Sequence, residues 1–125
     1  MNQRTSLWAP VVLYMAFIFG LSSIHNPPKP PGGVTDKDLH IVLYTGLGTM
    51  IVRALAGGWR RKVTLRIAAL AVVVTVLYGV SDEMHQYFVV GRTADVYDVL
   101  ADLIGGSIAA AGLYAYTIIS SRHDV

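Results

Sequence analysis

Side chains that could do chemistry are concentrated in three short segments of the chain, and each segment borders an apolar stretch. The candidate catalytic residues in these segments are His40, Asp82, Glu83, His85, Asp98 and Asp102. The candidate substrate-binding residues are Lys37, Tyr44, Gln86, Arg92 and Asp95. Carboxylates beside imidazoles suit general acid–base catalysis or a divalent cation, whereas lysine and arginine suit a phosphate or carboxylate on a ligand. The residue types therefore leave acid–base catalysis, a bound divalent cation and an anionic ligand open as functions of one site.

Helical spacing would bring these side chains onto three faces. Residues advance by about 100° along an α-helix, so positions three or four apart share a face. The three faces are Lys37, His40 and Tyr44 on one helix, Ser81, Asp82 and His85 on the next, and Asp95, Asp98 and Asp102 on the last. A carboxylate in hydrocarbon is costly unless it is paired, hydrated or protonated. We therefore expect the three faces to meet in one polar pocket.

A purely structural interpretation of the same charges stays open. Arg92 would pair with Asp95 three positions later, and Lys37 with a carboxylate across the bundle. A divalent cation is also left open as a cofactor, although the chain has no HExxH pair or other tight ligand spacing. The sequence alone decides neither whether the site is catalytic nor which metal it would hold.

Four long apolar stretches must position these residues. Hydrophobic residues make up 54% of the 125 residues and charged residues only 14%, well below the charge of a soluble domain. The stretches at 7–24, 39–56, 63–80 and 96–119 match the ~17–25 residues that cross a bilayer as a helix. Strands are disfavoured because an open sheet edge cannot exist in lipid. The prediction is an all-α integral membrane bundle of four transmembrane helices, with residues 1–125 as a single domain and the third helix continuing to His85 or Tyr87.

The distribution of charge predicts how the bundle lies in the membrane. The basic residues on the predicted cytoplasmic side are Arg4, Arg53, Arg60, Arg61, Lys62, Arg66 and Arg122. The other side has only Lys29, Lys37 and Arg92, together with every carboxylate except Asp124. An excess of lysine and arginine marks the cytoplasmic side. We therefore expect the N- and C-termini to be cytoplasmic and the polar pocket to open outward.

Composition excludes several classes of function. The chain has no cysteine, so disulfides, thiolate catalysis and thiolate metal sites are ruled out. Its net charge is +2, but the basic residues lie between apolar stretches and form no basic stripe with aromatic platforms. Nucleic acid is therefore not expected as a partner.

Two blocks of the sequence resemble the VanZ-like family of bacterial membrane proteins. The first is DKDLHIVLYTGLG at 36–48, and the second is YGVSDEMHQYFVVGRTADVYDVLADLIGG at 78–106. The family's polar positions would be the candidate residues above together with Ser81. The resemblance implies a multi-pass protein of the bacterial cytoplasmic (inner) membrane. The family that the chain resembles is named for low-level resistance to teicoplanin, a lipid-tailed glycopeptide antibiotic.

Three functions compete at this stage. The first is a pocket that acts on or binds a lipid or lipid-linked cell-envelope molecule, with a link to glycopeptide resistance implied by the resemblance. The second is a non-catalytic envelope protein that binds or shields such a molecule. The third is a small ion-coupled transporter, which the apolar inner halves of the spans disfavour. The expected partners are membrane lipids, a lipid-linked envelope precursor or a lipoglycopeptide, and a homo-oligomer is left open.

Overall fold

The computed structural model of the protein describes residues 1–123 and consists of helices joined by short loops. The helices are α1 (Gln3–Ser22), α2 (Asp36–Ala56), α3 (Leu65–Gln86) and α4 (Val96–His123). No strand occurs in the described residues, and 4 helices are long and apolar enough to cross a membrane. The predicted all-α fold with four membrane-spanning helices is therefore confirmed. The sidedness of the bundle stays a prediction, and Asp124 lies outside the described residues.

The helices differ from the predicted spans mainly at their ends. α1 begins at Gln3, before the predicted start at residue 7, because the Asn2 side chain accepts a hydrogen bond from the Thr5 N–H at 2.8 Å and caps the helix. It ends at Ser22, short of residue 24, where the chain turns into a proline-rich loop. α3 runs past residue 80 to Gln86, which agrees with the expected continuation of the third helix.

Capping residues fix both ends of α2. Thr35 and Asp38 form a capping box, in which Thr35 Oγ1 accepts from the Asp38 N–H at 3.2 Å and Asp38 Oδ2 accepts from the Thr35 N–H at 2.8 Å. The other end stops at Gly57, whose φ of 90° is a left-handed conformation that glycine adopts without strain. Lys37 and His40 are thereby held in the first turns of a well-anchored helix.

α2 is the central helix of the bundle. It contacts the other three helices, most extensively α4, whereas α1 makes no contact with α4 within residues 1–123. Leu47, Ile51 and Val52 of α2 are buried in the apolar core. Large apolar side chains on the outside have no protein cover, and Leu13 for example is 70% exposed. Lipid is the solvent that such an outer surface requires.

Glycine lets α4 approach α2 closely near the start of both helices. A Cβ on Gly105 of α4 would lie 2.6 Å from the Ile41 carbonyl oxygen and 2.9 Å from the Thr45 nitrogen. Both atoms belong to the α2 backbone, which a hydrogen-bonded helix cannot shift locally. Small residues at such contacts are how membrane helices pack without a side-chain layer between them. The polar side chains of the two helices are thus brought within reach of one another.

We expect Gly105→Ala to destabilise the folded protein by about 1–3 kcal/mol, because the added methyl group overpacks the contact between α2 and α4. Gly112→Ala is the matched control on the same helix, since a Cβ there meets nothing within 4 Å. Alanine is also the better helix former by about 1 kcal/mol, so the control should be neutral or stabilising. Thermal unfolding in detergent measures the difference, and equal stability of the two variants would contradict the close approach.

Candidate functional site

Four helix ends meet at one end of the bundle, which we call the carboxylate end. It contains the last turns of α1 and α3 and the first turns of α2 and α4, which hydrogen bonds tie together across the bundle. Because successive helices run up and down, polar residues that are distant in sequence become neighbours at this end. Most of the candidate residues predicted from the sequence lie here.

His40 faces three carboxylates at the centre of the carboxylate end, and we call His40, Glu83, Asp98 and Asp102 the His40 cluster. His40 Nδ1 lies 2.7 Å from Asp102 Oδ1. His40 Nε2 lies 3.9 Å from Glu83 Oε1 and 3.8 Å from Asp98 Oδ2. The His40 side chain is 12% exposed and the three carboxylates less than that. The cluster therefore joins α2, α3 and α4 through a nearly enclosed polar centre.

Donors around the cluster hold two of its carboxylates in place. Lys37 Nζ donates to Asp98 Oδ1 at 3.3 Å and to Asp95 Oδ2 at 3.0 Å. The Asp95 N–H donates to Glu83 Oε2 at 3.0 Å. Asp95 directly precedes α4, and its Oδ1 accepts from the N–H of Tyr97 in the first turn of that helix at 2.9 Å. The Tyr97 N–H and the Lys37 ammonium hold the pKa of Asp95 below its usual value, so Asp95 is ionised at neutral pH.

Asp82 belongs to a second polar group, on the α1 side of the bundle. Its Oδ1 accepts from Ser22 Oγ at 2.5 Å, and its Oδ2 accepts from the Tyr44 hydroxyl at 3.2 Å. Gln86 Nε2 donates to Ser22 Oγ at 3.3 Å. The Tyr44 ring is fully buried and stacks on His40 with centroids 5.9 Å apart, which connects this group to the His40 cluster. Sequence reasoning missed Ser22, although a polar residue at the end of an apolar span was a signal for it.

His85 and Ser81 lie outside both polar groups. His85 Nε2 is 2.9 Å from Ser23 Oγ, and its ring stacks on Phe19 of α1 at 4.3 Å. Ser81 is exposed and donates to the Tyr78 carbonyl of its own helix. The two residues do not share the pocket with the other candidates as expected. Ser81 lies about 100° and His85 about 60° around α3 from Asp82, which turns Ser81 to the surface and His85 toward Phe19 and Ser23.

Arg92 binds backbone carbonyls instead of a carboxylate. Its Nε donates to the Ile24 carbonyl at 3.0 Å, and its Nη2 donates to the Leu21 carbonyl at 2.5 Å. Carbonyls at the end of a helix have no helical N–H to accept from, and Arg92 supplies donors for α1. The predicted pairing of Arg92 with Asp95 is therefore wrong. Lys37 pairs with Asp95 across the bundle, as expected.

Two cavities reach the carboxylate end from different sides. One, of about 240 Å³, lies between the proline-rich loop, α1 and α2, and His40, Asp82 and Arg92 are among the residues that line it. The other, of about 420 Å³, lies between the end of α3 and the start of α4, and we call it the α3–α4 groove. Glu83 and Asp95 line this groove, and its remaining wall is formed by Val80, Met84, Tyr87, Phe88, Ala94, Val96 and Val99.

The His40 cluster can transfer a proton or hold a cation. An imidazole flanked by carboxylates can act as a general base toward a ligand within hydrogen-bond reach. One ligand atom from each of His40, Glu83 and Asp98 also lies within 4.8 Å of the other two, close enough for one metal ion to contact all three residues. The geometry therefore allows both proton transfer and cation binding at this one point, and these are two of the chemistries that the residue types indicate.

The fold and the polar end together define a small multi-pass helical membrane protein with a buried acid–imidazole centre. Residues 37–119 match the VanZ/LLP1 family. The chain belongs to the VanZ/LLP1 family, and the family predicted from the sequence is confirmed. The match spans α2, α3 and most of α4, and it includes every residue of the His40 cluster. Comparison with curated proteins and with solved structures gives no match.

We expect His40→Leu to destabilise the protein by about 3–5 kcal/mol, because it leaves the buried Asp102 carboxylate without its donor. The double variant His40→Leu, Asp102→Leu should recover most of that loss, since it removes both polar partners together. His85→Leu is the control and should cost only about 1 kcal/mol, the value of its hydrogen bond to Ser23. Unfolding in detergent gives these values and that of the single variant Asp102→Leu, which the comparison also needs. A double variant as unstable as the sum of its single variants would show that the two residues do not interact.

Proposed function

We propose that this VanZ-family protein binds an amphiphilic molecule of the bacterial cell envelope, a lipid or a lipid-linked precursor, at the carboxylate end. The observation that carries the proposal is the α3–α4 groove, whose apolar wall ends at two carboxylate residues of the polar centre. Binding sites are concave and mostly apolar, with a few polar groups that orient the ligand. A groove of this kind fits a hydrocarbon chain joined to a polar head.

The polar head would lie beside Glu83 and Asp95. Both residues line the groove, and a hydrogen bond between them belongs to the network around His40. Lys37 Nζ lies 3.0 Å from Asp95 Oδ2, and its side chain is 46% exposed. An ammonium has three donors, and Lys37 uses two of them on Asp95 and Asp98, so the third would interact with a phosphate or carboxylate on the ligand. Arg92 takes no part in this proposal, because its guanidinium already donates to the Ile24 and Leu21 carbonyls.

The position of the polar groups favours a site at the membrane surface over a transport path. Beyond Tyr44 the buried core of the described residues is largely apolar, with Leu47, Ile51 and Ala110 among its members. A transporter needs polar groups through the whole membrane thickness. If the carboxylate end faces outward, as the charge distribution predicts, the ligand enters from the outer leaflet of the cytoplasmic membrane. Teicoplanin has a lipid tail, and the same groove would receive it.

We expect Val80→Trp to weaken binding of a fluorescent polyprenyl phosphate by at least about tenfold, because the indole fills the α3–α4 groove. Val73→Trp is the matched control: it lies two turns earlier on the same face of α3, is 53% exposed and does not line the groove. Binding is measured on purified protein in nanodiscs. Equal affinity of the two variants would place the ligand elsewhere.

A second comparison tests the role proposed for Lys37. Lys37→Met should weaken binding of the polyprenyl phosphate but leave binding of the uncharged polyprenol unchanged, because only the phosphate interacts with the ammonium. A variant that loses affinity for both probes to the same degree would show that Lys37 acts on the structure of the groove and not on the head group.

A further inference from the structure

Three electron-pair acceptors face one another at the centre of the His40 cluster. His40 Nδ1 lies 2.7 Å from Asp102 Oδ1, so the ring proton of a neutral imidazole is placed on Nδ1 and the lone pair on Nε2. Nε2 in turn faces Glu83 Oε1 at 3.9 Å and Asp98 Oδ2 at 3.8 Å. A positive charge between the three acceptors relieves their mutual repulsion, and either a proton on Nε2 or a bound metal cation would supply it.

The other polar atom of each of these residues already has a partner. Asp102 holds His40 Nδ1, Lys37 holds Asp98 Oδ1, and the Asp95 N–H holds Glu83 Oε2. These contacts come from different elements, and each turns the second polar atom of its residue toward the same point. The contact to the other polar atom of each residue therefore orients the acceptor atom. Proteins preorganise the ligands of a metal ion in this way.

Glu83 Oε1 is the observation that calls for a cation. Glu83 is 6% exposed, and Oε1 has no hydrogen-bond partner among the described residues. Lys37 is engaged with Asp95 and Asp98, and the Arg92 guanidinium donates to carbonyls of α1. An unpartnered buried carboxylate oxygen carries a full desolvation cost, which a bound cation would remove.

The geometry points to a divalent transition-metal ion bound by His40 Nε2, Glu83 Oε1 and Asp98 Oδ2. An imidazole ligand disfavours Mg²⁺ and Ca²⁺, which take oxygen ligands. Zn²⁺ accepts imidazole nitrogen and carboxylate oxygen as ligands, and three protein ligands would leave one position of a tetrahedral site open. The Asp102–His40 contact is the carboxylate–histidine arrangement that supports such ligands.

The distances from His40 Nε2 require only a small adjustment of the side chains. Zn²⁺ bonds of ~2.0–2.2 Å in tetrahedral geometry place ligand atoms about 3.4 Å apart. The two distances from His40 Nε2, 3.8 and 3.9 Å, exceed this by a few tenths of an ångström, and the ligand atoms of Glu83 and Asp98 lie within 4.8 Å of each other. Rotation of the two carboxylates would bring all three atoms to the metal. Glu83 also lines the α3–α4 groove, so a head group in the groove would lie next to the open position of the metal.

The test is Zn²⁺ binding by the purified protein in detergent, without a polyhistidine tag and without any lipid-linked probe. Isothermal titration calorimetry should give one tight site, and X-ray absorption at the zinc edge should show one imidazole with oxygen ligands. Glu83→Gln keeps the shape of the ligand and should weaken the affinity by more than about 100-fold, and Asp102→Asn by about 10- to 100-fold. Asp36→Asn, an exposed carboxylate at the same helix end, is the control and should bind as the unaltered protein does.

If the unaltered protein does not bind Zn²⁺, that result overturns the inference, and no variant is needed. Tight binding that Glu83→Gln leaves unchanged, or absorption spectra with more than one imidazole, would overturn it as well, because the metal would then be held by other histidines. Lipid binding is a separate measurement. The metal site stands if the polyprenyl phosphate does not bind, and lipid binding stands if Zn²⁺ does not.

Discussion

A carboxylate buried inside a membrane bundle must be partnered, and this constraint decides how the four helices meet. Asp82, Glu83, Asp98 and Asp102 are all buried at one end of the molecule. Each is held by a contact from a different helix or from a neighbouring backbone N–H, so moving any one helix would strand a charge in a medium that solvates it poorly. The apolar remainder of the bundle packs by shape alone, and the polar end is what fixes which helices are neighbours.

The close helix contacts exist where this polar network needs them. Gly105 brings the α4 backbone against α2, and Gly79 lets α3 pass the Asp102 carboxylate, with which a Cβ at position 79 would collide. The loops also help to hold the carboxylate end together. Arg92 donates to the carbonyls of Leu21, in the last turn of α1, and Ile24, just after it, and the Asn26 N–H donates to the Val90 carbonyl at 3.3 Å. The connection between α3 and α4 is thereby attached to the end of α1 and the loop that follows it. The loops thus cover one side of the site, and the α3–α4 groove opens on another side.

The sequence predicted the helices well because hydropathy over about 20 residues is a strong, local signal for a membrane span. Helical periodicity also predicted that Lys37, His40 and Tyr44 share a face. It could not predict partners, because these depend on how helices cross and how loops fold. His85 therefore proved to face Ser23 and Phe19, and Arg92 proved to bind carbonyls that any segment could have supplied.

The account depends on His40 reaching carboxylates from two other helices at once. Solid-state NMR in lipid bilayers can measure the couplings between the His40 ring nitrogens and the carboxylate carbons of selectively labelled Asp and Glu side chains. The structure predicts a strong coupling from Nδ1 to Asp102 and weaker ones from Nε2 to Glu83 and Asp98, in line with distances of 2.7, 3.9 and 3.8 Å to their oxygens. A coupling to Asp102 alone, or none at all, would contradict the convergence of three helices on one imidazole.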